Sequence, residues 1–205
     1  MTKILIIDDE EDIRYTLKEI CSLSGWNTCE AVNGNMGLKL FKKERPDLVL
    51  VDYHMPELDG LATVKALRKL STEVPIIVLT VDERQQVADT FLDAGASDFA
   101  LKPIKAPDLI SRLKVHLSIL KSTQGQVEDD DVYTVKGISK ATLKLVVDYL
   151  KTCSNGASIE EITDGVCLAY PTVHRYLMYL VDRGDILVQA DYGKVGRPKN
   201  RYYNK

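Results

Sequence analysis

The sequence has few cysteines and no long apolar run, and both absences narrow the class of protein. The four thiols form no C-x-x-C pair and no zinc-finger spacing; they are Cys21, Cys29, Cys153 and Cys167. We therefore expect reduced thiols that pack as small hydrophobic groups. The longest strongly apolar stretch, residues 74–79, is far shorter than the roughly 18 residues of a membrane span, and the acidic amino terminus is unlike a signal peptide. The sequence thus predicts a cytoplasmic protein with no membrane contact.

The composition is that of an ordinary folded protein without a large excess of either charge. The chain has 205 residues, of which 45% are apolar and 28% are charged. This length leaves room for one large domain or two small ones, and the chain can bury a core without a metal or a disulfide. Lys and Arg number 27 against 30 Asp and Glu, a net charge of -3 that by itself predicts no nucleic-acid partner.

Residues 1–121 alternate short apolar runs with longer amphipathic segments. The apolar runs are residues 3–7, 27–31, 47–51, 75–79 and 98–101. Alternation of this kind predicts an α/β fold, with a five-stranded parallel sheet between two layers of helices. Residues 27–31 are the weakest of the five runs, so we expect them at an edge of the sheet.

Polar side chains follow four of the predicted strands at the point where each strand ends. Asp8 and Asp9 follow the first strand, Asp52 the third, Thr80 the fourth and Lys102 the fifth. In an open parallel sheet these strand ends share one edge, where ligands bind. Three carboxylates so close together repel one another unless a cation lies between them, and oxygen ligands suit Mg²⁺. With a lysine alongside, the pocket suits a phosphoryl group, and attack by one carboxylate would form an acyl phosphate.

These residues resemble the receiver domain of two-component response regulators. The shared motifs are Asp8-Asp9, the block D-x-x-M-P-x-x-D-G at Asp52–Gly60, Leu79-Thr80 and Lys102-Pro103. The resemblance covers roughly residues 1–121. It implies a flavodoxin-like, doubly wound sheet, phosphorylation of Asp52 and a sensor histidine kinase as partner.

For the metal site, the resemblance implies that Asp9, Asp52 and the backbone carbonyl of His54 bind Mg²⁺, while Asp8 supports them through water. A rival interpretation is a magnesium-dependent phosphatase with an aspartyl nucleophile. Those enzymes resemble the pattern D-x-D, in which a second carboxylate lies two residues after the nucleophile. Here that position is His54, so the general acid of those enzymes is missing and no enzyme activity is expected.

For the response to phosphorylation, the resemblance implies that Lys102 pairs with the phosphoryl group and precedes a cis bond to Pro103. Thr80 turns toward the phosphoryl oxygen, and Phe99 takes the place of the aromatic side chain that follows it inward. Val81 departs from the family, which usually has a small residue at that position. We expect its branched side chain to narrow the phosphoryl entrance and to slow both phosphorylation and loss of the phosphoryl group.

The near-neutral total charge hides two segments of opposite sign. Residues 122–136 are polar, carry an acidic run and are typical of a solvated linker. Up to residue 131 there are 16 Lys and Arg against 23 Asp and Glu, a net charge of -7. From residue 132 onward there are 11 against 7, a net charge of +4. A basic carboxyl-terminal segment favours binding to the phosphate backbone of double-stranded DNA.

Residues 137–205 follow a different structural pattern. Helices are predicted to begin near Ser139, Ser158 and Pro171. Two β-like runs, joined by a loop rich in glycine, follow at residues 186–190 and 201–203. This order of three helices and a hairpin predicts a small winged helix-turn-helix domain.

The third of these helices and the wing carry the candidate DNA contacts. The apolar period of the helix leaves four side chains directed outward near its start: Tyr170, Thr172, His174 and Arg175. The second helix of a helix-turn-helix places its first residues in the major groove, where they contact bases or phosphates. The wing adds basic side chains at Lys194, Arg197, Lys199 and Arg201. Arg197 suits a narrow minor groove, which attracts a guanidinium.

This half resembles the carboxyl-terminal domain of citrate/malate-type (CitB-like) response regulators. The motifs are G-I-S-x-x-T-L from Gly137, T-x-x-R-Y-L-x-Y-L from Thr172 and Y-G-K-V-G-R-P-x-x-x-Y from Tyr192. They imply a transcription factor, phosphorylated by a membrane-bound sensor kinase for di- or tricarboxylates. We expect a homodimer when phosphorylated, with RNA polymerase as a further partner. Ala169 and Tyr170 stand where the family tends to have Ser-Arg, so the sequence does not identify the target genes. An alternative function is a phosphorylation-controlled protein-binding module that acts without DNA.

Overall fold

The computed structural model describes residues 1–124, 133–135, 138–191 and 199–204. Its first part contains a five-stranded parallel sheet. The strands are β1 (Lys3–Ile7), β2 (Asn27–Ala31), β3 (Leu48–Asp52), β4 (Ile76–Thr80) and β5 (Asp98–Leu101). Their order is β2-β1-β3-β4-β5, which confirms β2 as an edge strand and leaves β5 at the other edge. The winding reverses between β1 and β3, so a ligand is expected at their carboxyl ends.

Helices cover both faces of this sheet. They are α1 (Glu11–Leu23), α2 (Gly34–Glu44), α3 (Gly60–Leu70), α4 (Gln85–Ala94) and α5 (Ala106–Gln124). Alternate residues of β1 enter two separate cores, with Ile4 and Ile6 in one and Leu5 and Ile7 in the other. Every residue of β3 and β4 is buried, and each strand is apolar up to a single polar residue at its carboxyl end. In β3 and β4, polar side chains therefore lie only at that edge.

The remaining elements form a second unit with its own core. They are β6 (Tyr133–Val135), β7 (Ile138–Ser139), α6 (Lys140–Thr152), β8 (Ala157–Ser158), α7 (Ile159–Val166), α8 (Tyr170–Asp182), β9 (Ile186–Asp191) and β10 (Lys199–Asn204). Strand β10 pairs antiparallel with both β8 and β9. The helices pack over this sheet through buried residues that include Val146, Ile162 and Leu177. Helices α7 and α8 followed by the β9–β10 hairpin confirm the predicted winged helix-turn-helix.

The predicted helix starts are also observed in this second unit. The Ser139 hydroxyl accepts a backbone N–H of the first turn of α6 at 3.5 Å. Ser158 and Glu161 form the predicted capping box, with hydrogen bonds of 3.2 and 2.8 Å. Pro171 lies in the first turn of α8, where its missing N–H has no helical partner to lose.

Two observations differ from the interpretation of residues 122–136 as a linker. Helix α5 continues three residues past Lys121, since no Gly or Pro interrupts residues 108–124. Strand β6 then pairs with β7 inside the stretch expected to be irregular. The acidic run of this stretch lies outside the described residues, as do Lys194 and Arg197 of the wing. Among the helices that the structure describes, none is long and apolar enough to cross a membrane.

Candidate functional site

The carboxyl ends of β1 and β3 bring three carboxylates together. The two strands are hydrogen-bonded neighbours, with Ile7 beside Val51 in the register. One carboxylate oxygen each from Asp8, Asp9 and Asp52 lies within 4.8 Å of the other two. Asp8 and Asp52 are buried, whereas Asp9 is exposed, so the cluster opens to solvent on one side. An all-oxygen, anionic donor set of this kind fits Mg²⁺.

Lys102, in the turn after β5, is the positive charge beside this cluster. Its Nζ lies 2.7 Å from Asp52 Oδ1 and 3.1 Å from Asp8 Oδ2. Burial lowers the pKa of Lys102, but the hydrogen bonds and charges of both carboxylates outweigh it, and the pKa lies above its ordinary value. Burial raises the pKa of Asp52, and Lys102 opposes this rise without cancelling it. One ammonium cannot neutralise three carboxylates, so the pocket stays negatively charged and favours the binding of a further cation. The bond from Lys102 to Pro103 is cis, as predicted.

Three hydrogen bonds in the turn after β1 place Asp8 and Asp9, and sequence reasoning missed them. Arg14 Nη1 donates to the backbone carbonyls of both residues at 2.9 Å. The N–H of Glu10 donates to Asp8 Oδ1 at 2.9 Å, which orients that carboxylate. An arginine in the first turns of a helix opposes the helix dipole, and that mismatch is the signal that could have indicated its role.

The spacing of the D-x-x-M-P-x-x-D-G block follows from the turn between β3 and α3. Met55 is buried under the turn, and Asp59 caps α3 by accepting a backbone N–H at 2.7 Å. A Cβ on Gly60 would lie 2.4 Å from the carbonyl oxygen of Asp52, so only glycine lets α3 begin against the end of β3. His54 is exposed, as expected for a side chain at the pocket rim.

The residues predicted to respond to phosphorylation lie on β4 and β5. Thr80 is buried at the end of β4, and its hydroxyl accepts the N–H of Asp82 at 2.9 Å. Phe99 is buried, and its ring packs edge-on against Phe91 of α4 with 6.1 Å between centroids. Val81 is 63% exposed, so its side chain lies at the surface next to Thr80 and not in the core.

The four candidate DNA contacts of α8 divide into two pairs. Tyr170 and His174 stack with 6.2 Å between ring centroids, and Tyr170 is 47% exposed. Thr172 and Arg175 instead face the α/β unit, where Arg175 Nη2 lies 2.6 Å from Asp93 of α4. Thr172 is fully buried there, which corrects the expectation that all four side chains point into solvent. The reason is that the start of α8 packs on α4 and β5, a contact without a local sequence signal.

The described basic residues of the wing lie in β10 and differ in their surroundings. The Lys199 side chain is 70% exposed and reaches within 3.8 Å of Glu160. Arg201 donates to the carbonyl of Gly156 at 2.9 Å and lies 3.2 Å from Glu161. Arg201 therefore braces β10 against the start of α7, which makes it a structural residue whatever else it contacts.

A sheet of this strand order, with an acidic pocket and a lysine at its carboxyl edge, defines a receiver domain, here joined to a winged helix. The family model for the response regulator receiver domain matches residues 4–114. The chain belongs to the family of two-component response regulators.

Curated relatives match along nearly the whole chain. "Probable C4-dicarboxylate response regulator DctR" of Bacillus subtilis is 33% identical, and the alignment covers 99% of this chain and 97% of the relative. "Transcriptional regulatory protein CitT" of the same organism is 28% identical, with 85% of this chain and 84% of the relative covered. The similarity of this response regulator to its relatives thus extends past the receiver domain and over the winged helix.

Solved structures match the α/β unit. A CheY-like response regulator receiver domain protein from Methanospirillum hungatei is 26% identical with a TM-score of 0.58, covering 60% of this chain and 98% of that chain. The chemotaxis protein CheY4 of Vibrio cholerae is 28% identical with a TM-score of 0.54, covering 56% of this chain and 97% of that chain. Both likenesses confirm the predicted receiver fold.

Proposed function

We propose that a sensor histidine kinase phosphorylates Asp52 and that the phosphoryl group controls dimerisation and sequence-specific DNA binding. The observation that carries this proposal is Lys102 Nζ, 2.7 Å from Asp52 Oδ1, beside a cluster of carboxylate oxygens. A carboxylate beside an ammonium, and beside oxygen ligands able to hold a divalent cation, suits phosphoryl transfer, because the two positive charges neutralise the oxygens of the transferred group. We assign residues 1–121 to the receiver, 122–136 to the linker and 137–205 to the DNA-binding domain.

In the transfer, a carboxylate oxygen of Asp52 attacks the phosphorus of a phosphohistidine on the kinase. The new O–P bond forms as the P–N bond breaks, and the electron pair of that bond stays on the imidazole nitrogen, which takes up a proton. Lys102 then pairs with the phosphoryl oxygens of the acyl phosphate. Mg²⁺ held by Asp9, Asp52 and the backbone carbonyl of His54, with Asp8 acting through water, would supply further positive charge to those oxygens.

Thr80 and Phe99 would carry the change outward. The Thr80 hydroxyl accepts the N–H of Asp82, so its own hydrogen can be donated to a phosphoryl oxygen. Phosphorylation puts about two negative charges beside Thr80 and Lys102. Phe99 packs on Phe91, which belongs to α4. A shift of the Phe99 side chain would therefore move α4 as well.

The winged helix would read DNA through the start of α8 and the wing. Two copies, paired by phosphorylated receiver domains, would meet half-sites about one helical turn apart. Tyr170, Thr172, His174 and Arg175 supply candidate contacts in the major groove, and the basic wing supplies phosphate contacts. Contact with RNA polymerase would follow once the dimer occupies its site.

The regulated genes are proposed from the names of the relatives. One relative is named for C4-dicarboxylates, and it matches over nearly the full length of both chains. We therefore propose transport or metabolism of small carboxylates as the regulated process, with the sensor kinase responding to such an acid.

Incubation with acetyl phosphate and Mg²⁺ tests the phosphoacceptor. We expect the wild-type protein to gain the mass of one phosphoryl group and Asp52→Asn to gain none, as read by intact-protein mass spectrometry. Asp108→Asn, which changes an exposed aspartate of α5, is the matched control and should label like wild type. Stoichiometric labelling of Asp52→Asn would refute the assignment.

A further inference from the structure

Helix α8 begins without a capping side chain from its own unit. Its N-cap residue is Ala169, which makes no side-chain hydrogen bond, whereas Ser139 and Ser158 cap α6 and α7. Buried N–H groups at a helix start need a partner, and Ala169 is buried. That partner comes from the receiver domain.

Asp98, the first residue of β5, supplies it. Its Oδ1 accepts the N–H of Ala169 at 3.0 Å and the hydroxyl of Thr172 at 2.7 Å. Its Oδ2 lies 3.3 Å from Nε2 of His116 and 3.4 Å from Nη1 of Arg112, both on α5. Burial raises the pKa of Asp98, but these hydrogen bonds and charges outweigh it and hold the pKa below its ordinary value. A carboxylate at a helix start is also favoured by the helix dipole.

Helix α4 also contacts the amino-terminal end of α8. Arg175 Nη2 lies 2.6 Å from Asp93 Oδ1, and its Nη1 lies 3.8 Å from Asp89 Oδ1. Gln85 Nε2 donates to the carbonyl of Pro171 at 3.3 Å. The guanidinium expected to contact DNA phosphates is thus occupied by two carboxylates of the receiver domain.

We propose that these contacts form an intramolecular brake, in which Asp98 holds α8 on α4 and β5 and keeps Thr172 and Arg175 of its DNA-reading face covered, a role that rests on the proposed function of α8. Thr172 is fully buried and the Arg175 side chain is 18% exposed, so a duplex cannot reach either residue in this conformation. The two units must separate at this contact before α8 enters a major groove.

The position of Asp98 connects the brake to the phosphorylation site. Asp98 directly precedes Phe99, and Ala169 belongs to the same apolar cluster as Phe99 and Phe91. A shift of Phe99 or α4 after phosphorylation therefore disturbs the carboxylate of Asp98 and the two aspartates of α4 together. Couplings of this kind typically change an affinity roughly 5- to 150-fold.

Amide hydrogen exchange across residues 170–182 of the unphosphorylated full-length protein tests the brake. We expect Asp98→Ala to speed exchange in α8 roughly tenfold, because the opened state becomes more populated. Asp93→Ala, which removes a half-exposed carboxylate and leaves the sheet intact, should speed it several-fold. Glu19→Ala removes one negative charge from the exposed side of α1 and is the matched control, with no expected change.

Fluorescence anisotropy with a random-sequence DNA duplex at low salt is the second readout. Asp98→Ala and Asp93→Ala should bind the duplex more tightly than Glu19→Ala does, although all three lose the same charge. If α8 exchanges at the control rate in both Asp98→Ala and Asp93→Ala, the brake is overturned, even if these proteins bind DNA. Should Asp98→Ala unfold, Asp93→Ala decides alone. Faster exchange with no DNA binding by any form supports the held contact and overturns the proposed DNA-binding function instead.

Discussion

At the scale of single residues, Asp52 and Asp98 show how the surroundings shift the pKa values of two buried aspartates in opposite directions. Asp52 faces an opening beside one lysine, and burial raises its pKa. Asp98 is buried more completely, yet its pKa is lowered, since donors from α5 and α8 surround its carboxylate. The number of donors, and not burial alone, decides which form is favoured. The first environment suits a nucleophile and the second suits a structural anchor.

Val81→Ala should speed both phosphorylation by acetyl phosphate and subsequent loss of the phosphoryl group. The exposed valine follows Thr80 directly, and truncating it widens the approach to Asp52. We expect each rate to rise roughly threefold, less than 1 kcal/mol of activation free energy. Time courses of intact mass give both rates, and Val188→Ala, a truncation of a partly exposed valine in β9, is the control. Unchanged rates for Val81→Ala would show that the branched side chain does not limit access.

Cys21 should resist thiol reagents in the native protein. Burial raises its pKa to about 12, so near pH 8 it stays a neutral thiol that is also inaccessible. Cys153 and Cys167 are partly exposed and should react first with Ellman's reagent. We expect Cys21 to react only after addition of denaturant, and Cys21→Ala to remove that late phase. Reaction of all four thiols at one fast rate would contradict the buried position of Cys21.

The turn between β3 and α3 illustrates the scale of the element. Its motif contains glycine because α3 starts against the carbonyl of Asp52, while Asp59 supplies the cap. Gly60 and Asp59 are therefore required by the turn, and the turn sets the position of Asp52, the proposed phosphoacceptor.

Gly60→Ala should destabilise the receiver by about 1–3 kcal/mol, because the new Cβ would lie 2.4 Å from a backbone oxygen that cannot move aside cheaply. Gly25→Ala is the control: nothing lies within 4 Å of its Cβ, so only its positive φ of 71° costs stability. Urea unfolding followed by circular dichroism measures both. Equal stability of Gly60→Ala and wild type would mean that the turn relaxes without cost.

Helix α8 shows what an element's own sequence can and cannot predict. Its apolar period correctly placed Val173, Leu177 and Leu180 in the core of the winged helix. The same period identified which side chains point away from that core. It could not indicate that the receiver domain covers part of this outer face, since periodicity reports a helix's own two sides and not its neighbours.

At the scale of the whole molecule, the near-neutral charge conceals an acidic receiver and a basic winged helix. A basic surface predicts DNA affinity that depends steeply on salt. For about five phosphate contacts, the logarithm of the phosphorylated protein's binding constant should fall with a slope of roughly -4 to -5 against the logarithm of salt concentration. Anisotropy titrations at several salt concentrations measure the slope. Binding that is absent or insensitive to salt would favour the protein-binding alternative.

Local patterns in the sequence were sufficient for the sheet, the pocket and the division of charge. Alternating apolar runs predict a parallel sheet, and the carboxyl ends of its strands share one edge, which places Asp8, Asp9, Asp52 and Lys102 together. Every one of these residues directly ends or follows a strand, which is why their convergence could be predicted.

Only the tertiary structure decided how the two units meet. Thr172 and Asp98 are 74 residues apart in the chain, and no sequence pattern connects one to the other. A cation near the start of α1 marked Arg14 as unusual, but its contacts to the carbonyls of Asp8 and Asp9 depend on the folded turn. Secondary structure and strand-end chemistry follow from neighbouring residues, whereas a contact between two surfaces depends on the shape and charge of both once they have folded.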